Sequence, residues 1–559
     1  MPHAQVPSLN IPDHPQCDPQ KIRIIHVGMG AAGMLCAYKA KKMLTNYELV
    51  CYEKNSVPGG TWYENRYPGC ACDIPAHTYT LPFHPNPNWS SYYAYAPEIQ
   101  EYLMDFYKHH NLHEFIKLNT EVLNAQWDDL QGLWNVELKN VKDGSTFRDT
   151  CNVLINGSGA LTKWKWPKIE GLHDFKGVLA HSANWPQELD WSGKRVAVIG
   201  SGSSSIQMVP QFAKTASKLT VFLRNQTYIA AQFGANVTNT EADPEAMDPA
   251  AAGKHQYTEK EKQRFRDDPA YLTEYRTKLE RSIVGGWNMF IRGSELNVMF
   301  KEFTQNQMKT RLGERDDLKE LMIPTWSPGC RRLTPGEGYL EALGKENVEV
   351  VWGEIEKSQE IEVDILACAT GFDVQYLPHF KITGLGGQIM QDQTAPNVYA
   401  SITSPGFPNY FVIGGPRGNW AQGTVFPSHE TQMVYVIQCC RKMQEDQIKS
   451  MHPKQHITIQ LNAYLDTWHT KYSIWAEPCK SWYKAKDPHG QVMTWAGSLL
   501  HLLKFLKRPR YEHYEIEYRD PDNVFAFLGN GTTIGQVRYG AEVPVPYIRD
   551  GDGGEWDIE

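Results

Sequence analysis

Lys21–Val27 is an apolar, β-branched run, and Gly28-Met29-Gly30-Ala31-Ala32-Gly33 follows it directly. Residues 31–45, rich in Ala, Leu, Lys and Met, predict a helix, and Tyr47–Glu53 predicts the next strand. Strand, glycine turn, helix and strand form a βαβ unit, which commits the chain to a parallel sheet. Each position in the turn has a physical task. Gly28 permits the tight turn, Gly30 lets backbone approach a pyrophosphate, and Gly33 allows the helix to pack close to the strand. The helix N-terminus offers free N–H groups and the positive end of its dipole to phosphates. Glu53, ending the second strand, is the acid expected on an adenosine ribose. This first unit is read as the FAD site.

A second unit begins near residue 194. Arg195–Ile199 predicts a strand, Gly200-Ser201-Gly202 a turn, Ser203–Ala216 a helix and Leu219–Arg224 the paired strand. Ser203, Ser204 and Ser205 open that helix, and Ser205 stands where a third glycine is usual, small enough for close packing. The strand ends in Arg224-Asn225, where an NAD-type unit carries a carboxylate. A carboxylate repels a 2′-phosphate, whereas a guanidinium binds one through paired N–H bonds. The second nucleotide is therefore read as NADPH. The alternative for Arg224 is an ordinary solvated charge at a strand end.

The expected fold class is α/β, with two Rossmann-like dinucleotide-binding domains and a helical insertion in the second. Residues 1–20, polar and Pro-rich, read as an N-terminal extension. Residues 21–175 and 391–559 are assigned to the FAD-binding domain and 176–390 to the NADP-binding domain. Charged residues dominate 240–325, with helical signals at Glu259–Arg266 and Tyr271–Ser282. Strand signals return at Val348–Trp352 and Val363–Cys368. From about 56 to 97 the chain is Gly-, Pro- and aromatic-rich, an ordered loop region of the kind that usually serves function.

Composition narrows the partners. A formal net charge of −8 gives no electrostatic case for nucleic acid or an anionic membrane. No run of about 18 apolar residues is present, so no membrane span is expected. MPHAQVPSLN carries no basic, then apolar, leader pattern. The 11 Cys are scattered, with no Cys-x-x-Cys pair, so no metal site is expected. They are read as reduced and structural, which fits a soluble cytoplasmic protein, here expected to be a monomer.

Phe175-Lys176-Gly177-Val178-Leu179-Ala180-His181-Ser182-Ala183-Asn184-Trp185-Pro186 lies between the two units. It resembles F-x-G-x-x-x-H-x-x-x-W-P, the signature of the type I Baeyer–Villiger monooxygenases. Four further segments are similar to that family: Gly59-Gly60-Thr61-Trp62-Tyr63 with Asn65–Asp73, Gly329-Cys330-Arg331-Arg332, Ala369-Thr370-Gly371-Phe372, and Ser481-Trp482-Tyr483. The resemblance runs from about residue 20 to 540. It implies that Arg332 is the catalytic cation and that Asp73 sits near the flavin and positions it. It implies cofactor contacts at Thr61, Trp62, Asp73, Tyr79, Val122, Gln207, Arg331, Arg332 and Trp482. His181, read as structural rather than catalytic, becomes a linker residue that coordinates domain movement. From the residues alone, the alternative for Asp73 is a helix or turn cap, and that for Arg331-Arg332 is a solvated loop pair, although a doubly basic pair after Pro328-Gly329 in an acidic chain is well suited to phosphate and a peroxide anion. Two departures stand out: Arg331 replaces a usual Lys, which alters donor geometry, and Cys70-Ala71-Cys72 lacks an Arg common there.

The implied reaction starts with hydride transfer from NADPH to FAD. Addition of O₂ then gives a flavin peroxide that attacks a ketone and yields an ester or lactone. A fixed cation in a low-dielectric site stabilises the anionic oxygens. Rival readings are a flavin N- or S-oxygenase, a flavin disulfide reductase and a non-enzymatic redox sensor. The disulfide reductase needs a redox cysteine pair separated by four residues near the first unit. Cys70 and Cys72 do not supply it.

Overall fold

The computed structural model describes residues 9–230, 233, 234, 237, 255–355, 361–374, 376–393, 397–418, 421–484, 487–551 and 558. Two parallel sheets of five strands organise the chain. In the first, the strand order is Tyr410–Val412, Val153–Asn156, Ile22–Val27, Tyr47–Tyr52, Ile116–Lys117. Ile22 pairs with Tyr47 and Val27 with Tyr52, so both strands of the first βαβ unit end level. Ile24, Ile25 and His26 are fully buried, as expected of a parallel strand covered on both faces. The helix Ala31–Met43 buries Ala32, Gly33, Met34, Leu35, Cys36, Ala37 and Ala40. Met433, Val436, Ile437 and Cys440, from the helix Phe426–Glu445, join the same core cluster. The C-terminal part of the chain thus completes the first unit.

The second sheet runs Val348–Trp352, Lys218–Leu223, Arg195–Ile199, Ile365–Cys368, Val178–His181. Val178–His181 is an edge strand paired in parallel with Ile365–Cys368, so His181 ends a strand and does not lie in a linker. The expectation failed because a four-residue strand takes its pairing from a segment far along the sequence. A four-stranded sheet of Lys381–Thr383, Thr120–Asp128, Leu133–Asn140 and Thr146–Cys151 packs beside the first. Val122 is buried in its strand, close to a register shift between Val122 and Asn124.

Helices Glu259–Asp267, Pro269–Gly285, Glu295–Arg311 and Asp316–Met322 occupy the expected insertion, whose residues 240–254 lie outside the described residues. Thr258 caps the first of these through a reciprocal bond with Glu261. The extension is wrapped onto the far C-terminus: Gln16 N–H donates to Thr532 O at 2.7 Å and Cys17 N–H to Phe527 O at 2.8 Å. The 391–559 segment also divides between cores, because Ile474, Trp475, Cys479 and Tyr483 join the cluster built on the second sheet. Among the described residues no helix is long and apolar enough to cross a membrane.

Candidate nucleotide sites and the Asp73–Arg332 centre

The first glycine turn has the geometry a pyrophosphate needs. Gly28 has φ +92°, a conformation that L side chains rarely adopt. A Cβ on Gly33 would collide with the Gly28 carbonyl oxygen, so the third position must be bare for the helix to reach its place. Gly30 caps that helix with no side-chain hydrogen bond and no acid follows in the first turn, which leaves its N–H groups and dipole for an anion. Glu53 is 3% exposed. Its Oε2 accepts from Met29 N–H at 2.7 Å and its Oε1 from Asn55 N–H at 2.9 Å. Burial pushes its carboxyl up, and these two N–H bonds pull the other way. Glu53 therefore braces the turn while ending level with it.

Thr61 opens a short helix, Thr61–Glu64, behind Gly59-Gly60. Trp62 Nε1–H donates to the Tyr79 hydroxyl at 3.1 Å, and the two rings meet edge to face at 5.5 Å. Tyr79 also packs on Phe426 at 4.8 Å, beneath the first turn of the long C-terminal helix. An opening at the carboxyl ends of the strands Val153–Asn156 and Tyr410–Val412 is lined by Asn156, Ser158, Tyr376, His379 and Gly414, where ligands bind in open α/β sheets.

In the second unit Gly200 has φ +135°, and a Cβ there would collide with the Ala369 carbonyl oxygen of the Ala369-Thr370-Gly371 segment. Gly202 faces open space and caps the helix Ser203–Thr215 without a side-chain bond. Ser201 and Ser205 are buried, so Ser205 does the close packing expected of a small residue. Ser203 Oγ lies 2.7 Å from Thr334 Oγ1. The Gln207 amide is committed to protein: Oε1 accepts from the Tyr67 hydroxyl at 2.7 Å and Nε2–H donates to Ala71 O at 2.9 Å. It ties this helix to the loop that carries Asp73. The Arg224 side chain is 67% exposed and stands 3.6 Å from Glu354, with Asn225 beside it. Arg331 is more enclosed. Its Nη1–H donates to Gln226 O at 2.6 Å, and burial pulls its pKa down. The enclosed Arg331 guanidinium thus lies against Gln226, just past the end of the strand Lys218–Leu223, whereas Arg224 is largely exposed.

Arg332 and Asp73, 259 positions apart, form a two-pronged ion pair. Nε–H donates to Oδ2 at 2.7 Å and Nη2–H to Oδ1 at 2.6 Å. Burial opposes the Arg332 charge, but Asp73 and the Tyr483 hydroxyl more than offset it and hold the guanidinium well above its usual range. Asp73 comes from the loop after the first unit and Arg332 from the second. Their pairing joins the two halves. Trp482 and Tyr483 stand over this centre with centroids 4.2 Å apart, and Tyr376 donates to Trp482 O at 3.3 Å.

The signature residues are structural. Gly177 has no room for a Cβ against the Asp364 carbonyl oxygen and the Phe175 ring. His181 is fully buried and stacks on Trp164 at 4.5 Å. Its Nδ1 accepts from Ala183 N–H at 3.1 Å, which puts the proton on Nε2, 3.1 Å from Thr370 Oγ1. Burial pushes its pKa down to about 4, so it stays neutral near pH 7. Trp185 stacks on Phe212 at 5.9 Å, and Pro186 turns the chain away.

Three features escaped the sequence reading. Cys330 and Cys479 form a disulfide, which corrects the expectation that all cysteines are reduced. A bond closed by two segments 149 residues apart leaves no trace in cysteine spacing. Ser327 ties the same two segments, with N–H and Oγ–H both donating to the Glu477 carboxylate at 2.7 and 2.6 Å. The third is Glu280. Its Oε1 is buried without a partner among the described residues, and burial pushes the carboxyl up to about 7.

A family model for the NAD(P)-binding Rossmann-like domain matches residues 27–96. The chain is 38% identical over 533 residues to FAD-binding monooxygenase tazF of Aspergillus terreus, covering 92% of this chain and 93% of that one. It is 36% identical to FAD-binding monooxygenase stcW of Emericella nidulans, covering 95% and 90%. A Baeyer–Villiger monooxygenase of Pseudomonas aeruginosa is 28% identical, covering 85% and 88%. Among solved structures, cyclohexanone monooxygenase from Rhodococcus sp. Phi1 bound to NADP⁺ superposes with a TM-score of 0.70 at 24% identity, over 89% of this chain and all of that one. With the two glycine turns and the Asp73–Arg332 pair in place, these relationships mean that the chain belongs to the family of FAD-binding monooxygenases.

Proposed function

We propose that this FAD- and NADPH-dependent monooxygenase is a Baeyer–Villiger enzyme that inserts one oxygen atom of O₂ beside a ketone carbonyl to give an ester or lactone. The observation that supports this most is the bidentate Asp73–Arg332 pair, formed where the two nucleotide units meet. Gly28, Gly30 and Gly33 leave room for the FAD pyrophosphate at an uncapped helix end, and Glu53 holds the adenosine ribose. Trp62 and Tyr79 frame the flavin side of that site. Gly200 and Gly202 do the same for NADPH, with Arg331, helped by Arg224, on its 2′-phosphate. Bound reduced FAD supplies the activation of O₂.

Arg332 holds a permanent positive charge where anionic oxygen develops during ketone attack. Because Asp73 already fixes two of its nitrogens, little reorganisation is needed at the moment of reaction. Asp73 acts as a positioning residue, setting the plane of the fork. Tyr376, Trp482 and Tyr483 exclude water and keep the local dielectric low. The test is a panel of linear, cyclic and bulky ketones followed by NADPH consumption, with product analysis. The reading expects ester or lactone stoichiometric with NADPH for at least one ketone. Oxygenation confined to amines or sulfides would overturn it.

A further inference from the structure

We infer that the Cys330–Cys479 disulfide is a redox-sensitive tether that positions Arg331 and Arg332 against the Trp482–Tyr483 turn, so that opening it uncouples NADPH use from oxygen insertion. The inference rests on the function proposed above for the insertion step. Cys330 directly precedes the arginine pair, and Cys479 lies three residues before Trp482. The bond closes a loop of 149 residues with a Cα–Cα distance of 6.3 Å. It joins the second unit to the part of the C-terminal segment that packs into the same core. Both cysteines are fully buried.

The surroundings are built around this join. Gly329, at φ +93°, has the Phe290 ring and Ile474 where a Cβ would stand. Phe290 stacks on Trp475 at 5.6 Å. The bonds from Ser327 to Glu477 run alongside the disulfide. The other nine cysteines are free, eight of them buried. Without the disulfide, what still ties the arginine loop to the C-terminal segment among the described residues is the pair of Ser327–Glu477 bonds and apolar packing, while Asp73–Arg332 and Arg331–Gln226 hold it to other segments. A positioned cation loses effect when displaced by about 1 Å.

The electron balance is simple. Opening takes two electrons and two protons from a dithiol reductant, which becomes a disulfide, and leaves two protein thiols. Closing gives two electrons and two protons to hydrogen peroxide, which becomes two waters. Hydrogen peroxide is what NADPH oxidation by O₂ yields when no ketone is oxygenated. Uncoupled turnover thus generates the oxidant that restores coupling.

The test uses the intact holoenzyme. Thiol titration after denaturation should find nine free thiols in the peroxide-treated protein and all eleven after reduction. Reduction of the parent, and Cys479→Ser without reduction, should each lower ester formed per NADPH and weaken 2′,5′-ADP binding by about tenfold. FAD content should stay unchanged, reductant should have no effect on Cys479→Ser, and peroxide should restore only the parent. Eleven free thiols after peroxide, or parental coupling and 2′,5′-ADP affinity in both reduced parent and variant, would overturn the tether. If Cys479→Ser fails to fold, the reductant series on the parent decides. If no ketone is oxygenated at all, the proposed reaction fails, while the thiol count and 2′,5′-ADP affinity still decide the tether.

Discussion

Replacing Arg332 by Ala separates two half-reactions that the proposed function gives to different groups. Reduction of the flavin by NADPH creates no anionic oxygen, so it should proceed near the parent rate. Oxygen insertion needs the guanidinium, and losing one preorganised oxyanion partner lowers the rate by about 10²–10³. A stability change should accompany it. Removing one partner of a buried ion pair costs about 3–5 kcal/mol. Here the side chains keep 26% and 20% exposure, so screening brings the expectation to about 2–3 kcal/mol. Asp73→Ala in the Arg332→Ala background should add little further loss, because the carboxylate then has no charge to hold. Arg332→Lys should recover little insertion, since a point charge cannot reproduce two parallel bonds to Oδ1 and Oδ2. Stopped-flow reduction, denaturant titration and ester analysis read the three quantities independently. Parental ester formation by the Ala variant would refute the assignment of Arg332.

Arg331→Ala should weaken NADPH binding by about 10–100-fold and leave NADH nearly unchanged; an equal loss for both would remove Arg331 from the 2′-phosphate. Arg224→Ala should have a smaller effect in the same competition assay, because that side chain is largely exposed and lies near Glu354. Gly200→Ala should lose the second nucleotide, because its φ of +135° and the Ala369 carbonyl leave no place for a methyl group; parental 2′,5′-ADP affinity would contradict this. Glu280 keeps its proton up to about pH 7 in the folded chain but loses it near its ordinary value when unfolded. The stability it allows is therefore complete at low pH and falls as pH rises to about 7, by at most about 3 kcal/mol. Glu280→Gln should flatten that part of the stability–pH curve, and an unchanged curve would show that the carboxyl is ionised.

The glycine turns were legible because their demands are local. The conformation of Gly28, the contact of the Gly33 site with its own turn, and the strand and helix on either side all lie within a short stretch. Val178–His181 was not legible as a strand, since its pairing partner Ile365–Cys368 comes much later and the four residues show no alternation of their own. Asp73 and Arg332 were found through family motifs; nothing in the sequence between them says that the two meet. The disulfide and the Ser327–Glu477 bonds depend on the same long-range approach. Glu280 was missed for another reason. On the helix Pro269–Gly285 its charge looks like a solvated face, but Arg276 on that helix reaches inward to His77 O at 3.0 Å and Thr80 Oγ1 at 2.9 Å. That face is packed against the loop after Asp73, so Glu280 one turn on carries its Oε1 inward with it.

A single oxygen atom from O₂ is expected to enter the product beside a carbonyl. Turnover of a ketone with NADPH under isotopically labelled O₂, followed by mass analysis of the product, tests it directly. The account predicts an ester or lactone carrying one labelled atom in its ring or bridging position, with one NADPH consumed for each molecule formed. An unlabelled ester, or ketone recovered intact while NADPH and O₂ are consumed across the whole panel, would contradict it.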